Sequence, residues 1–169
     1  RDPARAESLL SGWLAKNPAD IAVRLDLANL LMERQNTAQA VGQFEAILKQ
    51  DPNNVVALNN LGWQLQAGNP KRAMALLTLA QKIAPNSPDV IDTLGWVKLQ
   101  QKDAAGALPL LSKAHTTKPG DGEITYHLAV ALNANGQRAA ARQMLKGLLA
   151  SGVKFQSLPA ATKLAAEWG

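Results

Sequence analysis

Apolar and small positions along the chain return in a fixed register. Leu27, Leu61, Leu94 and Leu128 are each followed at once by a small residue, Ala28, Gly62, Gly95 and Ala129. Further on come Ala40, Ala73, Ala107 and Ala141, and four residues after each lies a large apolar side chain, Phe44, Leu77, Leu111 or Leu145. Small residues let two helix backbones approach, and the large side chain one turn away fills the remaining gap. Prolines punctuate the same pattern at 18, 52, 85 and 119, at intervals of 34, 33 and 34 residues. Each stops a helix, because proline restricts the residue before it and has no N–H to donate. The register predicts antiparallel helical hairpins at about 20–52, 54–85, 88–119 and 121–151. The shorter interval places one missing residue between Leu61 and Ala73, where Gly68-Asn69-Pro70 replaces the usual loop and Pro70 suits a first helical position.

Two flanking segments complete the pattern. Residues 3–16 read as the second helix of a truncated repeat, with Ala6, Leu10 and Trp13 on its packing face. Residues 157–168 read as a capping helix, with Leu158, Leu164 and Trp168 available to cover the last hairpin. The whole of 1–169 is expected to be one all-α domain. Composition agrees: 47% of residues are apolar but only 4% aromatic, as suits helices packed through small side chains.

The Leu-small pair, the later Ala and large apolar residue, and the closing Pro, repeated in register, resemble the tetratricopeptide repeat family. The resemblance implies a right-handed α-solenoid. The family's first-helix aromatic positions are here Arg24 and Leu31, Leu58 and Leu65, Ile91 and Lys98, Thr125 and Leu132, so Arg24, Lys98 and Thr125 are expected to loosen the packing.

The resemblance also implies that the first helix of each hairpin lines an inner, concave surface that holds a protein or peptide partner. The residues it places there as candidate contacts are Asn29, Asn59, Asn60, Trp63, Asp92, Trp96, Tyr126, His127 and Asn133. Trp63 and Trp96 occupy one slot in successive repeats. They form either an apolar platform for a partner or packing between hairpins. The asparagines offer donor and acceptor to an extended peptide, or brace their own hairpins.

Charge sharpens the expectation. Inner helices carry Asp26, Glu33, Asp89, Asp92 and Glu123 against Arg24 and Lys98, while most of the bases that give the net charge of +5 fall on second helices. The groove is therefore expected to be neutral to acidic and to prefer apolar, amide-rich or basic segments. The Lys and Arg of the family's carboxylate clamp are missing from it. A basic convex face leaves nucleic-acid binding as the alternative, though its bases lack the interleaved aromatics of such sites.

Catalysis finds little support. There is no cysteine, and His115 and His127 are the only histidines, without a nucleophile, a metal-binding motif or a phosphate loop. No cofactor and no metal are expected. His127 is expected to touch a ligand or face solvent.

Within the family, Asp92-Thr93-Leu94-Gly95-Trp96, Ile124 to Leu132, and Ala141-Arg142 leading to Leu148-Leu149-Ala150-Ser151-Gly152 resemble the C-terminal region of bacterial lipoproteins. Those lipoproteins are associated with PEP-CTERM/exosortase sorting and exopolysaccharide production. That likeness implies an exported or membrane-anchored protein with more repeats ahead of Arg1; a cytoplasmic one is the alternative. No apolar run is long enough to cross a bilayer.

Overall fold

The computed structural model describes residues 2–168. Its helices begin where short polar side chains can satisfy the first-turn N–H groups. Asp2, Asp20, Asn54, Ser87, Asp103 and Asp121 each accept such bonds. Caps of this kind contribute about 1 kcal/mol apiece. Among the described residues there are ten helices: α1 (Pro3–Lys16), α2 (Ile21–Glu33), α3 (Thr37–Gln50), α4 (Val55–Leu65), α5 (Pro70–Ile83), α6 (Pro88–Gln100), α7 (Ala104–Thr117), α8 (Gly122–Ala134), α9 (Arg138–Ala150) and α10 (Leu158–Trp168). Among the described residues there is no strand, and the fold is all-α.

The chain divides into two compact units, Arg1–Ile83 and Ala84–Gly169. In the first, α1 to α5 pack in chain order, each on the next. Leu27, Ala28 and Leu31 of α2 meet Ala40, Phe44 and Ile47 of α3, with Leu14 on one side and Ala57 and Leu61 on the other. Phe44 is fully buried. Truncating it to Ala costs about 3–5 kcal/mol, enough to unfold much of this unit. Within α4 and α5, a Cβ placed on Gly62 would stand 2.6 Å from Leu77 Cγ, so the absence of a side chain is what admits Leu77.

In the second unit α6 to α10 likewise pack in sequence, and α6 also touches α8. Gly95 repeats the close approach, its Cβ position lying 2.8 Å from Leu111 Cγ. The last helix lays Ala161, Leu164, Ala165 and Trp168 against a cluster that contains Tyr126, Leu145 and Leu148.

One expectation needs correction. The face of α1 that packs inward carries Leu10 and Leu14; Trp13 is 52% exposed, its indole N–H donating to Asp20 Oδ2 at 2.9 Å. That bond fixes the indole over the α1–α2 turn instead of in the core. The polar residues at the family's aromatic positions carry hydrogen bonds, although the buried Arg24 Nε has no partner among the described residues. Arg24 donates to Gln43 Oε1 at 2.8 Å and to the Pro18 carbonyl at 2.7 Å, and Lys98 reaches Asp103 at 2.7 Å. Thr125 donates to the Asp121 carbonyl at 2.7 Å and lies 3.2 Å from His115 Nδ1. Hydrogen bonds occupy the places where aromatic contact was missing.

Candidate partner-binding site

Four of the candidate residues converge in the second unit. Pro88 and the Ser87 cap start α6 so that Asp92 and Trp96, one turn apart, share a face; Tyr126 and His127 follow from α8, started by Asp121. His127 Nδ1 lies 2.8 and 3.0 Å from the two oxygens of Asp92. An ionised carboxylate only accepts, so this nitrogen carries the proton and donates. The imidazole stacks on Trp96 with ring centroids 4.0 Å apart and planes 22° from parallel. Tyr126 closes the group at 6.0 Å from Trp96.

A second carboxylate stands on the other side of the ring, Glu123 Oε1 being 3.6 Å from His127 Nε2. Glu123 also accepts from the backbone N–H of Ser157 at 3.0 Å and from the Ser157 hydroxyl, at the entrance to α10. The line Asp92–His127–Glu123–Ser157 therefore ties α6, α8 and the start of α10 together. Next to it Gly122 makes room for Phe155: a Cβ there would lie 2.7 Å from the Phe155 ring, which itself stands 6.3 Å from Tyr126.

Burial sets the electrostatics. Asp92 is 7% exposed and His127 2%. Desolvation raises the Asp92 carboxyl above its ordinary range, with the His127 hydrogen bond and charge opposing it. Desolvation also raises the Tyr126 hydroxyl, helped by the Glu123 charge. The two carboxylates flank opposite nitrogens of the ring and do not converge on a point. Among the described residues no group of His, Asp and Glu is arranged to hold a metal ion. Nor is any described helix long and apolar enough to cross a membrane.

Helical hairpins of this spacing, with Gly or Ala on one helix meeting a large apolar residue on the next, have a counterpart among known proteins. A family model described as tetratricopeptide repeat matches residues 1–62 and 98–166. The chain belongs to the tetratricopeptide repeat family. Tetratricopeptide repeat proteins are generally non-enzymatic scaffolds for protein or peptide partners.

The chain is 29% identical over 126 residues to the TPR repeat-containing protein PA4667 of Pseudomonas aeruginosa, covering 73% of this chain and 21% of that protein. It is 31% identical over 155 residues to the Cellulose synthase 2 operon protein C of Komagataeibacter xylinus, covering 88% of this chain and 12% of that one. It thus spans only a minor part of either relative. Among solved structures it is similar to YrrB, described as a TPR protein with an unusual peptide-binding site. The TM-score is 0.66 at 20% identity, over 82% of this chain and 72% of that one.

The remaining candidates lie elsewhere. Asn29 is exposed on α2, and Asn59, Asn60 and Trp63 are half-buried on α4, all in the first unit. The Asn59 Oδ1 atom is buried and has no hydrogen-bond partner among the described residues. Asn133 lies in the second unit, outside the Asp92–Trp96–Tyr126–His127 group. It lines a cavity with Arg138, Arg142, Glu167 and Trp168. The sequence reading missed Phe155 and Ser157 as members of the cluster; Gly122, a glycine in the first turn of α8, was the available signal for a close neighbour there. His127 faces neither solvent nor an open surface.

Proposed function

We propose that the chain is a protein–protein interaction scaffold, acting as one domain over 1–169, that holds a peptide or protein segment on the first helices of its hairpins. The observation that carries this reading is Trp96. Its half-buried indole is backed by His127, and His127 is held between Asp92 and Glu123. An aromatic side chain fixed this way meets a partner without losing rotamer freedom, which is how hot-spot residues gain their weight. In this reading Asp92, Tyr126 and His127, being buried, position Trp96 for the partner. Asn29, Asn59, Asn60, Trp63 and Asn133 supply further contacts.

The same geometry supports a non-catalytic role, because both nitrogens of His127 face carboxylates and neither is free to activate a nucleophile. The narrower setting, a bacterial protein-sorting or exopolysaccharide export system, is supported by the PEP-CTERM-like residues and by the cellulose synthase operon name of one relative. It makes an exported or membrane-anchored location part of the proposal.

Probing an array of random peptides with labelled chain tests the binding reading. Neutral and basic peptides with apolar residues should be captured, and Trp96→Ala should weaken them about tenfold or more. Capture of acidic peptides alone, or capture indifferent to Trp96→Ala, would contradict it.

A further inference from the structure

Arg138, Arg142 and Lys146 stand four residues apart on α9 and so form one stripe along the helix. All three are exposed, and α9 contains no Asp or Glu. Like charges at this spacing repel, and a helix usually offsets them with carboxylates one turn away. Here none is supplied. Among the described residues the three cations form no hydrogen bond or ion pair, as is true of other surface cations such as Lys49 and Lys82; what sets these three apart is their alignment on one face beside a recessed cavity.

A cavity of about 390 Å³ opens beside the stripe between α9 and α10, with Arg142 and Lys146 at its edge, Leu145, Leu149 and Ala165 as apolar lining and the Trp168 ring as a wall. The Trp168 indole N–H has no partner among the described residues either. An adjoining cavity of about 240 Å³ continues past Arg138 and carries one acid, Glu167, whose nearest cation is Lys163 at 3.9 Å. Cations around a recessed apolar floor call for a ligand that is anionic and apolar within a few ångströms.

We propose that this cleft docks an acidic protein segment that seats one large apolar side chain against Leu149 and Trp168 while its carboxylates pair with Arg142 and Lys146. The cleft draws its apolar lining from the same hydrophobic cluster that Trp96 packs against, but its cations give it the opposite charge preference. A nucleic acid would need successive aromatic faces to stack its bases, and the cleft presents a single one. A lipid surface would meet the exposed stripe but would leave the recessed floor unused.

Trp168 provides the readout. The whole chain is titrated with a short peptide alternating Glu with Leu and Phe, with its Lys-for-Glu and Gly-for-apolar versions, with phosphatidylglycerol vesicles and with a single-stranded oligonucleotide. The acidic apolar peptide should bind and change the Trp emission, the two altered peptides should not, and Trp168→Phe should remove the emission change. Arg142→Glu with Lys146→Glu should weaken binding about tenfold or more, as should Ala165→Trp, which fills the floor. The charge reversals are at exposed positions, so circular dichroism should show an intact fold. Binding that survives both the charge reversal and Ala165→Trp, or that occurs only with vesicles or the oligonucleotide, overturns the proposal.

Discussion

His127 lies flat against Trp96, ring centroids 4.0 Å apart, while its Nδ1 reaches Asp92 at 2.8 Å. One residue of α8 therefore links a buried carboxylate to an indole one helical turn away on α6. Removing the imidazole leaves that carboxylate buried without its donor. His127→Ala should destabilise the chain by about 3 kcal/mol, measured by urea unfolding. Asp92→Asn keeps an acceptor for Nδ1 and should cost about 1–2 kcal/mol. Equal, small effects would mean that the contact is incidental.

Acid sensitivity should come from two opposing sets of carboxyls. Backbone N–H of Val23 and the Trp13 indole lower Asp20, and Lys98 with the Gly106 N–H lowers Asp103. At Asp121 burial pushes upward, but Lys118 and the helix N–H groups outweigh it. A lowered group contributes stability above its ordinary 3.8 that is lost as pH falls through the folded-state value. Asp92 is raised, so its contribution is complete below 3.8 and declines as pH rises through its folded-state value. Asp92→Asn should therefore remove a gain of stability that accompanies acidification from the raised folded-state value down to 3.8, so that the loss of stability is steeper across that window. A shallower acid limb, read from urea midpoints at successive pH values, would reverse the sign argued here.

Gly62 and Gly95 decide how closely their hairpins close. Alanine at either gains up to about 1 kcal/mol of helix propensity. It must also displace a fully buried leucine from contact distances of 2.6 and 2.8 Å. Overpacking costs about 1–3 kcal/mol, so each substitution should lower the Tm. Ala28 and Ala129 hold the equivalent positions of the other two hairpins and are fully buried.

Three hairpin loops place Gln35, Lys102 and Gly136 in the left-handed region, at φ of 60, 66 and 79°. Only the last uses the residue suited to it. Lys102→Gly and Gln35→Gly should each stabilise by about 0.5–1 kcal/mol, seen as a higher urea midpoint.

The all-α repeat was readable because its signals are periodic. Pro18, Pro52, Pro85 and Pro119 fall in turns between helices, and the small residues after each key leucine fall at the helix contacts. What escaped depends on single orientations. Leu10 makes an equally good stripe with Trp13 or Leu14, and only the Asp20 hydrogen bond decides which turns outward. Membership of an inner helix could be assigned to His127, but its burial could not. Its partner lies 35 residues back, one repeat and one position away, and nothing local to either residue announces the pair. Phe155 and Ser157 sit in an aperiodic connection, where repeat logic carries no information.

The central claim is that the first helices of the hairpins receive the partner. Titrating a captured neutral or basic peptide into isotope-labelled chain, and following backbone and indole resonances, tests it directly. The account predicts shifts concentrated in α2, α4, α6 and α8, with the Trp63 and Trp96 indoles among the largest. Shifts confined to α3, α5, α7 and α9, with both indoles unmoved, would contradict it.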